Sequence, residues 1–378
     1  MLDRLMFLVR WLGPWASQAR RPGGVRRQTL RIDAEQPGEQ PFDGWLYTPE
    51  RRPIEGALLM SPGVHYLGAA DARMVRLATV LAASGIAVLS PFMPDYLRLL
   101  ITQSAISDLQ RAFRVFRDRP EVPAGLRPGV FSISFGSLPA LRLISDLPDE
   151  VGGALVFGGY ADWNETCVFC LTGELGGVQV MARDPLNQPI IYMNLIEDLP
   201  GAPEDTRPIM EAWMRYVQAT WGRDRYKRGG HHLEVAHAIA PRLPAADREI
   251  FLKGCGDLQD DHALARAALV RRGERLSFLN PLVNIHRARC PVHLAHGVDD
   301  DVIPVNQLDR LAAAIPAGTP VTTYKTGFYS HSGRSPGLAD KLPVMARDVQ
   351  TMVRMMGAIL STSSDAGRRG GSRVWGRP

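Results

Sequence analysis

At 378 residues, with 45% hydrophobic and 22% charged residues, the chain can bury a full core and still carry an insertion. Its formal charge of +5 gathers at the ends (Arg20, Arg21, Arg26 and Arg27; Arg368, Arg369, Arg373 and Arg377), which reads as solvated tails and excludes a nucleic-acid surface. Four cysteines make no disulfide framework, so a reducing, cytoplasmic setting is expected; Cys167 and Cys170 form a lone CxxC without the second pair of a zinc site, and neither metal nor cofactor is expected.

The first elements follow in order. In residues 1–25 the longest uncharged apolar run, Leu5 to Val9, is too short for a membrane span, and Asp3 and Arg10 interrupt any signal-peptide core. Two readings stand for this arm: a helix packing on the domain, which we prefer, or peripheral membrane contact through residues 1–15 with Trp11 and Trp15 at the interface. Gln28–Ile32 and Gly44–Tyr47 form an antiparallel opening pair around a Gly/Pro turn. Strand and helix then alternate. Ala57–Met60 is a strand; Met74, Leu77, Ala78 and Leu81 share a helix face; Ile86–Leu89 is a strand. A helix through Ile106, Leu109, Phe113 and Phe116 leads to strand Gly129–Ile133, helix Ser137–Ile144 and strand Gly153–Phe157. Apolar strands between amphipathic helices mean a mostly parallel sheet covered on both faces, an α/β fold.

The alternation stops near Asn164. Residues 164–280 read as helices (Ile209–Thr220, Leu233–Ile239, Ala246–Leu252, Ala263–Arg271), a helical cap inserted into one core made of residues 26–163 and 281–360. Trp213, Tyr216 and Trp221 of that cap are expected to wall an apolar pocket. The sheet resumes with Pro291–Ala295, a helix over Leu308–Ala314, strand Val321–Tyr324 and a last helix through Met345, Val349, Met352, Met356 and Leu360; residues 361–378 are expected to be disordered.

Three segments carry chemistry. Ser132-Ile-Ser134-Phe-Gly136, between strand and helix, is a variant of the tight G-x-S-x-G turn, which needs small residues two places either side of the serine and lifts its hydroxyl above the sheet edge. His296-Gly-Val-Asp-Asp-Asp-Val-Ile-Pro304 puts a carboxylate at a strand's carboxyl end; Asp300 is chosen to orient a histidine, with Asp299 and Asp301 as alternatives and Asp162 ranked behind. His331, after the last strand, is placed to act as base toward Ser134 and then as acid toward the leaving group. His232 and His237 lie five apart on a helix and do not stack as a metal pair would.

With its Ser134, Asp300, His331 order, the chain resembles the α/β-hydrolase superfamily, and among its members the bacterial esterases and lipases with a helical cap. The resemblance implies an α/β-hydrolase fold and an oxyanion hole made by the backbone N–H groups of Val64 and Phe135. Ser61-Pro-Gly-Val64 lacks the leading His of the usual loop, so His65 N–H is an alternative donor, and the His65 side chain is a candidate substrate contact. The expected activity is hydrolysis of a small-molecule carboxylic ester with an apolar acyl or alcohol part. Amide or peptide cleavage and acyl transfer use the same triad, and a non-catalytic binding protein is the alternative of another class.

Overall fold

The computed structural model describes residues 1–227, 229–257, 261–330, 333–334 and 342–364. An N-terminal helix, α1 (Leu2–Leu12), leads to strands β1 (Val25–Ile32), β2 (Phe42–Pro49) and β3 (Gly56–Ser61). Helix α2 (Ala72–Ala83), β4 (Ile86–Pro91), α3 (Ser104–Arg117), β5 (Gly129–Ile133), α4 (Ser137–Asp146) and β6 (Ala154–Phe157) continue the alternation. After the inserted residues come β7 (Val292–Gly297) and β8 (Val321–Thr326). These eight strands form one sheet in the order β1-β2-β4-β3-β5-β6-β7-β8, in which only β2 runs against the rest. This is the α/β-hydrolase fold.

The order follows from the chain's chemistry. Gly44 to Tyr47 of β2 pair antiparallel with β4, and a short loop suffices to join β1 and β2. The parallel strands need helical crossovers, and every residue of β3 and β4 is buried, as strands covered on both faces must be. One face packs on α3 and α4 through Leu109, Phe113, Leu138 and Leu141; the other packs on α1, α2 and the final helix Leu342–Ser363 through Leu8, Leu81, Met352 and Met356.

Two boundaries differ from expectation. The final helix runs past Leu360, and Thr362 and Ser363 are buried, so the tail begins later than residue 361. The reason is local: Ser363 packs at Gly56 and Thr362 at Gly129, where a Cβ would strike the helix backbone, so small residues seat the helix end under β3 and β5. The remainder of the tail, from residue 365, lies outside the described residues. The inserted segment also contains helices Trp163–Thr172 and Gln188–Leu195, which the sequence reading leaves unassigned. No helix of the described residues is long and apolar enough to cross a membrane.

Candidate active site

Ser134 stands where β5 ends and a short 3-10 turn opens into α4. Its φ is +55°, one of three positive values among described non-glycine residues, and its side chain is almost wholly buried. The left-handed conformation produces the sharp turn that raises the hydroxyl while the chain reverses into the helix. Three contacts hold it. The Ser61 hydroxyl donates to the Gly136 carbonyl at 2.8 Å, and the Tyr96 hydroxyl donates to the Phe135 carbonyl at 2.9 Å. At position 136, any Cβ would fall 2.5 Å from the Ser61 carbonyl oxygen and closer still to that of Pro62, so glycine there is a requirement of the turn.

The same approach brings residues 61–64 over the serine: a Cβ built on Gly63 would lie 3.4 Å from that of Ser134. Val64, Ser134 and Phe135 thereby line one cavity. Phe135 is the second residue of the helical run, and its N–H belongs to the first turn, where backbone donors have no partner within the helix.

The acid loop borders the same cavity through Val302. Of the three consecutive aspartates Asp300 is the fully buried one, 2% exposed; one carboxylate oxygen accepts the N–H groups of Val302 and Ile303 at 2.9 and 2.8 Å. The other oxygen lies 3.5 Å from His296 Nε2, which itself donates to the Ile303 carbonyl at 2.8 Å. Asp162 is occupied elsewhere: it caps helix Trp163–Thr172 through Glu165 N–H and pairs with Arg310. His331 lies outside the described residues. The strand that leads toward it, β8, ends at Thr326, in register with Gly297 at the start of the acid loop.

His65 is not among the residues lining the cavity. It backs the wall instead. Its Nδ1 accepts the Leu67 N–H at 3.1 Å, so in the neutral ring the proton sits on Nε2, 3.5 Å from Asp71. The ring stacks on Tyr66 and lies 5.4 Å from Trp221, which does line the cavity. Burial lowers the His65 pKa, only partly offset by Asp71, which favours the neutral ring.

Trp213 and Tyr216, expected in the pocket wall, are instead buried in the core of the inserted segment, the Trp213 indole donating to the Phe251 carbonyl. Trp221 does line the cavity as expected, and much of the remaining wall comes from residues the sequence reading did not assign to it. Trp163, Thr166, Cys167 and Cys170 share one helix at the spacing of a single face, Ile190 and Ile191 come from helix Gln188–Leu195, and Asn187 directly precedes that helix. The lone CxxC is therefore part of the pocket lining. Burial pushes both thiols up, as expected of inert packing groups. Among the described residues no cluster of His, Cys, Asp or Glu could hold a metal ion. The cavity encloses about 480 Å³ between atoms, its mouth included, but the centre of a water molecule fits in only about 50 Å³ of it. None of its described lining side chains is charged.

No family model matches the chain, and no curated protein matches it. Among solved structures it is similar to the acylaminoacyl peptidase of Pyrococcus horikoshii, with 12% identity over 90% of this chain and 41% of that one and a TM-score of 0.49. It spans about two fifths of that chain's length. It is also similar to an esterase domain from Rhodothermus marinus (13% identity, 90% of this chain and 99% of that one, TM-score 0.43) and to Est1E from Butyrivibrio proteoclasticus (13%, 87% and 99%, 0.44).

Proposed function

We propose that the protein is a serine hydrolase that cleaves carboxylic esters with an apolar acyl or alcohol part. The observation that carries this is Ser134, held at a left-handed φ on a tight strand-to-helix turn and lining a cavity at the carboxyl edge of the sheet with no charged side chain among its described lining residues. In this reading Ser134 Oγ attacks the acyl carbon as its proton passes to His331. The developing oxyanion takes the N–H groups of Val64 and Phe135. His331 returns the proton to the leaving alkoxide, and water, activated by the same imidazole, releases the acid from the acyl-enzyme. Asp300 fixes the ring.

The lining favours esters over peptides. A peptidase that reads a chain terminus needs a charged partner for the ammonium or carboxylate, and Trp163, Trp221, Ile190 and Ile191 supply none. Fluorophosphonate labelling together with p-nitrophenyl esters and matching anilides tests the proposal. Wild-type protein is expected to label and to turn over esters in preference to anilides. Ser134→Ala is expected to abolish labelling and to lower kcat by at least ~10³-fold. Folded wild-type protein that neither labels nor hydrolyses would point to a binding role, and anilide turnover matching the esters would point to amide cleavage.

A further inference from the structure

We infer that α1 and the segment after it form a docking surface for an anionic lipid membrane. The helix has one face committed to the fold. Leu8 is fully buried against the core, and Arg4 is buried with Nε donating to the Ser84 carbonyl at 2.8 Å and Nη1 paired with Glu55 at 3.0 Å. The opposite face is unpartnered. Leu2 and Met6 stand 72% and 59% exposed at i, i+4, and Arg10 continues the same stripe one turn later. Beyond the helix, Trp15 is 56% exposed, the one exposed tryptophan among the described residues.

Cations are fixed beside this apolar stripe. The Arg76 guanidinium donates to the carbonyls of both Trp11 and Arg20, which folds the segment back and sets Arg20 and Arg21 next to the end of α1. Arg10, Arg20 and Arg21 are exposed and make no ion pair with a described residue. Residues 1–32 hold seven arginines against one aspartate, and Asp3 is itself paired with Arg52. Apolar side chains and a tryptophan, ringed by arginines on a rigid helix, match the acyl boundary and the phosphates of an anionic bilayer. A second copy is disfavoured, because a two-fold contact through this face would set its arginines against themselves. Nucleic acid has no use for exposed Leu2 and Met6.

The inference is independent of the ester-hydrolase reading. Co-sedimentation of the full chain with vesicles of phosphatidylcholine, with and without phosphatidylglycerol, tests it. Binding is expected on the anionic vesicles and is expected to weaken with salt. Arg10→Gln/Arg20→Gln/Arg21→Gln should weaken it roughly 100-fold, and Leu2→Ser/Met6→Ser/Trp15→Ser at least ~10-fold. All six side chains are exposed, so thermal melts matching wild type confirm that the variants fold. The inference is overturned by failure to sediment with anionic vesicles. It is equally overturned if the apolar triple variant binds like wild type, or if the surface instead drives a concentration-dependent dimer that the same substitutions abolish.

Discussion

Holding a serine at φ +55° costs on the order of 1 kcal/mol or more, and the neighbours of Ser134 offset it. Gly136→Ala tests that support. Its methyl group would press on the Ser61 and Pro62 carbonyls, which belong to the loop carrying Val64. We expect a loss of about 1–3 kcal/mol in urea unfolding, with kcat reduced because the proposed oxyanion donors move. Ser132 behaves differently: its buried hydroxyl has no hydrogen-bond partner among the described residues, so Ser132→Ala should be neutral or slightly stabilising. The three aspartates are separable in the same way. Asn at position 300 can still accept the Val302 and Ile303 N–H groups, so Asp300→Asn should fold normally yet lower kcat by about 10³- to 10⁴-fold, whereas Asp299→Asn and Asp301→Asn should stay within about tenfold. If either neighbour gave the larger loss, it would replace Asp300 as the orienting acid. The positions of Ser134 and Asp300, just past the ends of β5 and β7, could be read from sequence because each follows a short, mostly apolar run, while their catalytic roles belong to the proposal. The role of Cys167 and Cys170 could not, since a CxxC looks the same whether it grips a metal or fills a wall.

At the level of elements, the sheet was legible and the inserted segment only partly so. Strands β3 to β7 announce themselves as short, mostly apolar runs and β8 as a stretch rich in β-branched residues, Val321-Thr-Thr-Tyr324, and α3 repeats its apolar residues every third or fourth place. Helix Gln188–Leu195 does neither, because all eight of its residues are buried and a helix that is covered all round has no polar face to mark its period. That helix nonetheless builds the pocket. Asn194 on it accepts the Ile101 N–H at 2.7 Å and donates to the Leu99 carbonyl at 2.9 Å, which fastens the insertion to the core beside two lining residues, Ile101 and Ile190. Asn194→Ala would strand both backbone groups. We expect a loss of about 2–3 kcal/mol and a rise in KM for long apolar esters, with a short ester less affected. Equal KM changes along an ester series would show that the joint carries stability alone.

For the whole molecule, the charge that read as solvated tails is better seen as two features: a stretch of arginines beside α1, fixed by Arg76, and a C-terminal set outside the described residues. Sequence could not separate them because contact between Arg76 and Arg20 spans a distance in the chain that only folding closes. Proton linkage is also a property of the assembled molecule. Burial lowers the pKa of His65, His232 and His293, with Arg183 adding to the effect at His232 and Asp71 partly opposing it at His65. In the unfolded chain each returns to its ordinary value near 6.5. Above that pH both states are neutral at these sites and stability is at its plateau. As pH falls below it, the unfolded chain takes up protons that the folded chain refuses, so stability declines until the folded pKa is reached. Each histidine contributes up to about 1.4 kcal/mol per pH unit inside its window. Urea midpoints measured from pH 7.5 to 5 should therefore fall with acid, in a range where ordinary carboxylates remain ionised. His232→Leu removes one buried imidazole and should flatten the slope without moving the plateau region's pH. An unchanged slope in that variant, or midpoints that rise on acidification, would mean that these rings gain their protons inside the folded protein.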